Sequence, residues 1–354
     1  MLRHPSTFQP LFNWREITFL LRLLVIWAAM GCIVPPPREA LGWNGPQHIQ
    51  ITQAASRHVP PEMAAFEAFA APIAIPSTYP DIWRATDFAE GPRHYFKPDY
   101  LPSSCDLTRL PTDRMEAFRS QLSLTRPSEI GMAPWSILNL MQGFTSAMKT
   151  NDWVWAARCA AALSHYVADV HMPFHCTRNH DGQETGQNGI HMRVESNVTE
   201  FFFQPESITP SPPVYLEDPF HSILRWAQDS LLRMPTLLDA DRIATQEIGD
   251  TQSQAYYLTL WKLAGPVLIE RASAAATDLS SIWYTAWVDA GKPSIPEPLA
   301  EIPPFSVFSG VGITPPEPQA PPIIREKPPI DVLFWGTLFL FVVVSITAIR
   351  HYVK

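Results

Sequence analysis

Cysteine is scarce in this chain, and its placement builds nothing. Four cysteines stand in 354 residues, at 32, 105, 159 and 176, with no CxxC pair and no spacing that suggests a disulfide framework. Removal of an N-terminal leader would leave three, so at least one has no partner within the chain. Basic charge is also short. Lys and Arg total 26 against 34 Asp and Glu, a formal charge of −8, which argues against broad electrostatic attraction to duplex nucleic acid. Alternating apolar and polar runs long enough for strands are missing, which leaves a sheet-based fold without support. What is present is a normal 46% of hydrophobic residues, enough for one large domain or two ordinary ones, and 37 prolines, about twice the usual share.

The prolines and the apolar runs divide the chain. Residues 17 to 34 are apolar apart from Arg22 and follow Arg3 and Arg15, as in a secretory leader. Ala40 and Gly42 occupy the small-residue positions for a cut before Trp43, so 1–42 reads as a signal peptide, with an uncleaved anchor as the alternative. From 43 to 290 the apolar spacing is helical, and the fold class expected is all-α. Asn44 is placed to cap a first helix with a proline in its first turn. The tract from Gln252 to Gly291 reads as two helices or as one kinked near Pro266. Residues 291–330 hold twelve prolines in forty positions and read as an extended Pro-rich linker, or else as a docking site for a Pro-recognising partner. The stretch 331–350 contains 18 consecutive uncharged residues from Val332 to Ile349, the length of a transmembrane helix, and the basic tail 351–354 would stay cytoplasmic. The domain is therefore expected to face away from the cytoplasm, periplasmic or extracellular.

The chemistry concentrates in residues 165 to 195, where five of the 11 histidines share 31 positions with two aspartates and two glutamates. His165 and Asp169 are four apart on an Ala-rich helix and project from one face. Pro173 should end that helix, with His175 just beyond the break. His191 and Glu195 are again four apart on a second helix. Imidazole nitrogen and carboxylate oxygen are the donors suited to zinc in a hydrolytic site. One such pair is more often an ordinary surface or core contact. Two pairs plus a histidine, all on inward faces, would be costly to bury without a cation. His171 and His180 flank this set and read as supporting or solvent-exposed, and His58 and His221 as helix-surface residues. Trp153 and Trp155 read as core. The Asn197-Val-Thr triplet fits the glycosylation pattern but directly follows the Glu195 helix.

The run HYVADVHMPFH, 165 to 175, resembles the signature H-Y-x-x-D-x-x-x-P-x-H of the zinc-dependent phospholipase C group. That group shares an all-α fold and a three-zinc site with the single-strand-specific nucleases. The resemblance extends over about 43 to 290. In the family a mature N-terminal tryptophan binds zinc through its amine and carbonyl, and Trp43 stands at the expected cut, with His48 at the nuclease-like interval of five. An Asp and a His some 13 residues later are required next, and Asp81 and His94 supply them. By this likeness Asp81, His94, His165 and Asp169 would hold one zinc, and His175, His191 and Glu195 a second. Trp43, His48 and Asp169 would hold a third, Asp169 bridging. Up to three Zn2+ are implied.

The activity implied is hydrolysis of phosphodiester bonds by a metal-activated hydroxide attacking in line at phosphorus, with Asp81 as the group that orients or deprotonates the nucleophile. Arg84 or Arg193 could add charge to a phosphate clamp or form ordinary surface salt bridges. The substrate class is left between phospholipid and single-stranded nucleic acid or nucleotide. Glu195 is phospholipase-like where the nucleases carry Asp, whereas the Trp43 to His48 interval is nuclease-like. The glutamate and tyrosine of a choline pocket are replaced here by Pro46 and Ile82. A 3'-nucleotidase or nuclease is thus the alternative to a phospholipase C-like enzyme, and a non-catalytic, membrane-tethered zinc-binding module the second. The partners expected are that substrate and the membrane, through the C-terminal helix. Duplex nucleic acid is not among them, and no obligate protein partner is evident.

Overall fold

The computed structural model describes residues 43–308, apart from 88, 103–104, 123–125 and 303. Among the described residues the chain is helical, with no β-strand and one isolated antiparallel bridge between Phe96 and Gly131. Six helices have twelve residues or more: α1 Gly45–Ser56, α2 Ala133–Lys149, α3 Trp153–Val170, α4 Pro219–Leu231, α5 Met234–Ile248 and α6 Gln254–Asp289. Short helical turns fill most of the interval between α1 and α2.

The centre of the fold is α3. Asp152 caps it by accepting from the Trp155 amide at 3.0 Å, and the helix ends at Val170, before Pro173. Every residue from Cys159 to Val170 is buried, packed among α1, α2, α4 and α6. Such complete burial suits the alanine-rich run Ala160–Ala162, whose short side chains let neighbouring helices approach. At the α2 contact the neighbour is Gly143, where an added Cβ would stand 3.4 Å from Cys159 Sγ. In α1 the expected Asn44 cap is present, accepting from the Gln47 amide at 3.3 Å.

The tract left open between two helices and one kinked helix is a single helix, α6, with Pro266 inside it. Its outer face solves a problem for the segment 209–216. That extended, Pro-containing stretch has no sheet partner for its amides. The N–H groups of Thr209, Ser211, Val214 and Leu216 instead donate to the hydroxyls of Ser273, Thr277, Ser281 and Thr285, spaced one helical turn apart, at 2.9–3.1 Å.

The chain does not leave the domain at 290, where the sequence suggested that a free spacer begins. Trp287 Nε1 donates to the Pro293 carbonyl at 2.9 Å. Further on, Ile302 and Phe305 are buried. The Phe305 ring lies 5.6 Å from Tyr79 and 5.5 Å from Trp83, and Phe308 covers the Arg93 guanidinium at 4.0 Å. The apolar residues between prolines make the difference: Ile302, Phe305 and Phe308 have surface to bury, which a solvated polyproline spacer lacks. Linker residues beyond 308, the leader 1–42, the span 331–350 and the tail 351–354 lie outside the described residues. Within those residues no helix is long and apolar enough to cross a membrane.

Candidate metal centre

Helix α3 supplies His165 and Asp169 from one buried face, as the spacing of four demands. Asp81 arrives on the short helix Tyr79–Trp83 and His94 at the end of the turn Gly91–His94. Four donor atoms meet here. His94 Nδ1 is 2.9 Å from Asp169 Oδ2 and 3.0 Å from His165 Nε2, while His165 Nε2 is 3.3 Å from Asp169 Oδ2. Asp81 Oδ1 completes the set at 3.7 Å from His165 Nε2 and 3.9 Å from His94 Nδ1. Tetrahedral zinc with bonds of about 2.0–2.2 Å places its donors roughly 3.3 Å apart. The observed separations straddle that value.

A second group forms around Glu195. The short helix Ile190–Met192 runs into a π-helical turn, Arg193–Val198, and then into Thr199–Phe202. Such a turn is a frequent feature of functional sites. Here Glu195 Oε2 lies directly against His191 Nε2 and 3.9 Å from His175 Nε2. The donor atoms of these three residues all fall within 4.8 Å of one another. His48, from α1, stacks on His165 with ring centroids 3.9 Å apart, and its Nε2 is 3.6 Å from Asp169 Oδ1. His48, Asp81 and His165 make a further group within 4.8 Å.

Eight of the nine residues singled out in the sequence are thus gathered in three groups, two of them sharing His165, and all but the partly exposed Asp81 are buried. The ninth, Trp43, takes a different place. Its indole is fully buried and donates to the Ala168 carbonyl at 3.0 Å, which seats residue 43 beside the turn that carries Asp169. The role that the resemblance gives Trp43 belongs to main-chain atoms, separate from this indole bond.

The outward nitrogens of the rings are oriented as in ligand histidines. His165 Nδ1 contacts the Ser77 carbonyl at 2.8 Å, and His175 Nδ1 the His94 carbonyl at 2.7 Å, leaving each Nε2 for the centre. Several of the remaining polar atoms have no partner. Both nitrogens of His48, His191 Nε2, Asp81 Oδ1, Asp169 Oδ1 and both oxygens of Glu195 are buried without a hydrogen-bond partner. Unpaired buried polar atoms in such number are costly, and a cation is the one partner all of them share. The donor set therefore fits zinc.

The electrostatics agree. Burial holds His48 and His191 well below the imidazole range and takes His175 down to about 4. Burial also raises Asp81, and burial followed by repulsion from Asp169 and Asp81 pushes Glu195 well above the carboxylate range. In Asp169 burial acts upward, but the charges of His165 and His175 and hydrogen bonds from His165 and His94 hold it well below. For His94 burial acts downward and is outweighed by bonds to Asp169 and Glu90, which lift it to about 9. A divalent ion would reverse the Glu195 and Asp81 shifts.

The other candidates separate clearly. His171 has both nitrogens satisfied, by Val167 O at 2.7 Å and Asp278 Oδ2 at 2.8 Å, and His180 is exposed. Arg193 is neither a clamp nor a surface ion pair. Its side chain is tied to Asp241 and to the Tyr256 hydroxyl, each at 2.9 Å. Arg84 is close enough for its charge to lower Asp81, His175 and Glu195. At the glycosylation triplet, Asn197 Nδ2 donates to Tyr257 at 2.8 Å and the Thr199 hydroxyl is buried against the Glu195 carbonyl. Sequence reasoning missed Glu90, a buried carboxylate 3.3 Å from His94 Nε2. Its spacing of four from His94 was the available signal, obscured by the intervening Gly91 and Pro92.

No family model matches the sequence, and no curated protein matches it. Among solved structures, the chain is similar to the alpha toxin from Clostridium absonum at 13% identity and a TM-score of 0.40. The match covers 71% of this chain and 64% of the toxin, so the chain spans less than two thirds of that protein's length.

Proposed function

We propose that the domain is a zinc-dependent hydrolase of phosphodiester bonds, phospholipase C-like in character. The observation that carries this reading is the convergence of eight imidazole and carboxylate side chains in three donor groups, with several of their inward atoms buried and unpaired. Zinc, when bound, would supply Lewis acidity, acidifying water and stabilising charge on the phosphoryl oxygens. His165 and His175 would hold it with Nε2, their Nδ1 atoms being fixed on carbonyls.

Asp81 is the residue placed for proton transfer. Its side chain is 13% exposed, whereas those of Asp169 and Glu195 are fully buried, so Asp81 stands where water and substrate would enter. Its partial exposure beside the donor group suits a group that accepts a proton from the attacking water. Arg84, one turn further along, contributes positive potential at the same entrance and would favour an anionic phosphodiester. The leader 1–42 and the span 331–350 would hold the domain on the non-cytoplasmic side of a membrane, which favours a lipid or other membrane-proximal phosphodiester.

The second reading, a single-strand-specific nuclease or 3'-nucleotidase, is favoured by the interval between Trp43 and His48. Zinc-dependent turnover of bis-p-nitrophenyl phosphate tests the activity. Asp81→Asn should lower it by roughly 10²–10⁴ while zinc stays bound. No turnover by the zinc-loaded wild type would leave a zinc-binding module. Phosphatidylcholine vesicles set against single-stranded DNA then separate the two substrate classes.

A further inference from the structure

A buried carboxylate outside the eight-residue cluster stands behind one of its histidines. Glu90 is 1% exposed, at the start of the turn that ends in His94. The two faces of the His94 ring edge differ. Nδ1 points into the donor group of His165, Asp169 and Asp81, while Nε2 is buried without a formed hydrogen bond and has Glu90 Oε1 as its neighbour at 3.3 Å. His165 and His175 use the opposite choice, with Nδ1 outward and Nε2 inward. Something must therefore impose the other tautomer on His94, since a neutral imidazole offers one lone pair and one N–H.

We infer that Glu90 is the positioning residue of the centre: it accepts the Nε2 proton of His94 and so presents the Nδ1 lone pair to a metal ion. The inference rests on the reading of the cluster as a metal site. Glu90 is itself fixed on both oxygens. The Tyr166 hydroxyl donates to Oε1, and Arg93 Nη1 donates to Oε2 at 2.6 Å. Tyr166 is the residue after His165 on α3, so one helix carries both a cluster histidine and the group that holds the carboxylate behind another. Arg93 also pairs with Asp87 at 3.0 Å, and Phe308 covers its guanidinium at 4.0 Å and approaches the Tyr166 ring at 6.3 Å. The segment 291–308, a strap on the domain surface, thus covers the network through Phe308. If neutralising Arg93 were the only role of Glu90, a solvated surface pair would serve at far lower desolvation cost. Its position against His94 calls for a role at the ring.

The test uses the purified full chain, stripped of metal and titrated with Zn2+ against a chromogenic chelator. Glu90→Ala should weaken zinc binding about 10- to 100-fold, the usual effect of removing the outer partner of a ligand histidine, and Glu90→Gln should recover part of it by keeping an acceptor. Unchanged zinc affinity in Glu90→Ala, with wild type binding zinc, overturns the inference alone. A wild type that binds no zinc overturns the metal reading and this inference with it. A second measurement needs no variant. Long-range ¹H–¹⁵N correlation of the zinc-loaded wild type should show the His94 proton on Nε2, opposite to His165 and His175. A proton on His94 Nδ1 rejects the assignment whether or not the variants fold.

Discussion

Asp169 turns its two oxygens to different neighbours: Oδ2 lies 3.3 Å from His165 Nε2, and Oδ1 lies 3.6 Å from His48 Nε2. A carboxylate so placed can serve two ions at once. Its loss should cost more than the loss of a terminal ligand.

Zinc content by elemental analysis should show this difference. Asp169→Asn is expected to lose at least two equivalents relative to wild type, and Glu195→Gln about one, because Glu195 belongs to a single group with His175 and His191. Equal losses in the two variants would remove the bridging role.

The metal-free protein should weaken in acid. His175 sits at about 4 when folded, against an unfolded value near 6.5, and His48 and His191 are also depressed by burial. Between those values the unfolded chain binds more protons at these histidines, so their contribution to stability falls as pH drops from about 6.5 toward 4, by up to about 1.4 kcal/mol per pH unit for each. The raised Asp81 and Glu195 act in the opposite sense. So does His94. Raised to about 9, it stabilises fully below about 6.5, and that contribution is lost as pH rises toward 9. Urea unfolding of chelator-treated protein from pH 4 to 9 measures both limbs, and a flat profile contradicts the assignment.

The two arginines should part company. Arg84→Ala is expected to lower kcat/KM for an anionic phosphodiester about 10- to 100-fold with zinc content unchanged, the loss of one charge beside the reacting group. Arg193→Ala breaks a mostly buried pair with Asp241 and should cost about 3 kcal/mol of stability. Steady-state kinetics paired with thermal unfolding of each variant distinguishes them. A reversed pattern would exchange their roles.

The strap belongs to the domain in energetic terms. Phe305 is 2% exposed between Tyr79 and Trp83, so Phe305→Ala should destabilise by about 3–5 kcal/mol. A chain ending at residue 290 should also melt well below one ending at 308. Equal melting temperatures would return 291–308 to the role of a spacer.

Local pattern carried far in this sequence. The helical class and the inward pair His165–Asp169 follow from a period near 3.6 residues, and the Asn44 cap from residue type, rules that act within one or two turns, whereas His191 and Glu195 meet across a π-helical turn. Neither the helix count in the Pro266 tract nor the reach of the strap was open to it. Pro266 reads as a break or a kink in isolation, yet one continuous helix runs through it. The prolines of 291–308 outweighed, on the page, the three apolar side chains that anchor them. Glu90 was hidden because its spacing from His94 resembles any helical i,i+4 pair interrupted by glycine and proline.

By itself, then, the sequence determined which residue types share each helical face, and through a motif which of them have the chemistry of metal ligands. Only the tertiary structure decided that His48, Asp81 and His94 reach the α3 pair, that Asp169 faces two ways, and that Glu90 stands behind His94. The physical reason is range. Helix geometry fixes neighbours a turn apart, whereas Asp81 and His94 arrive on short turns whose direction is set by long-range packing against a buried helix. Pairing His94 with His165 across 71 positions is a consequence of closing that core, which no local period encodes.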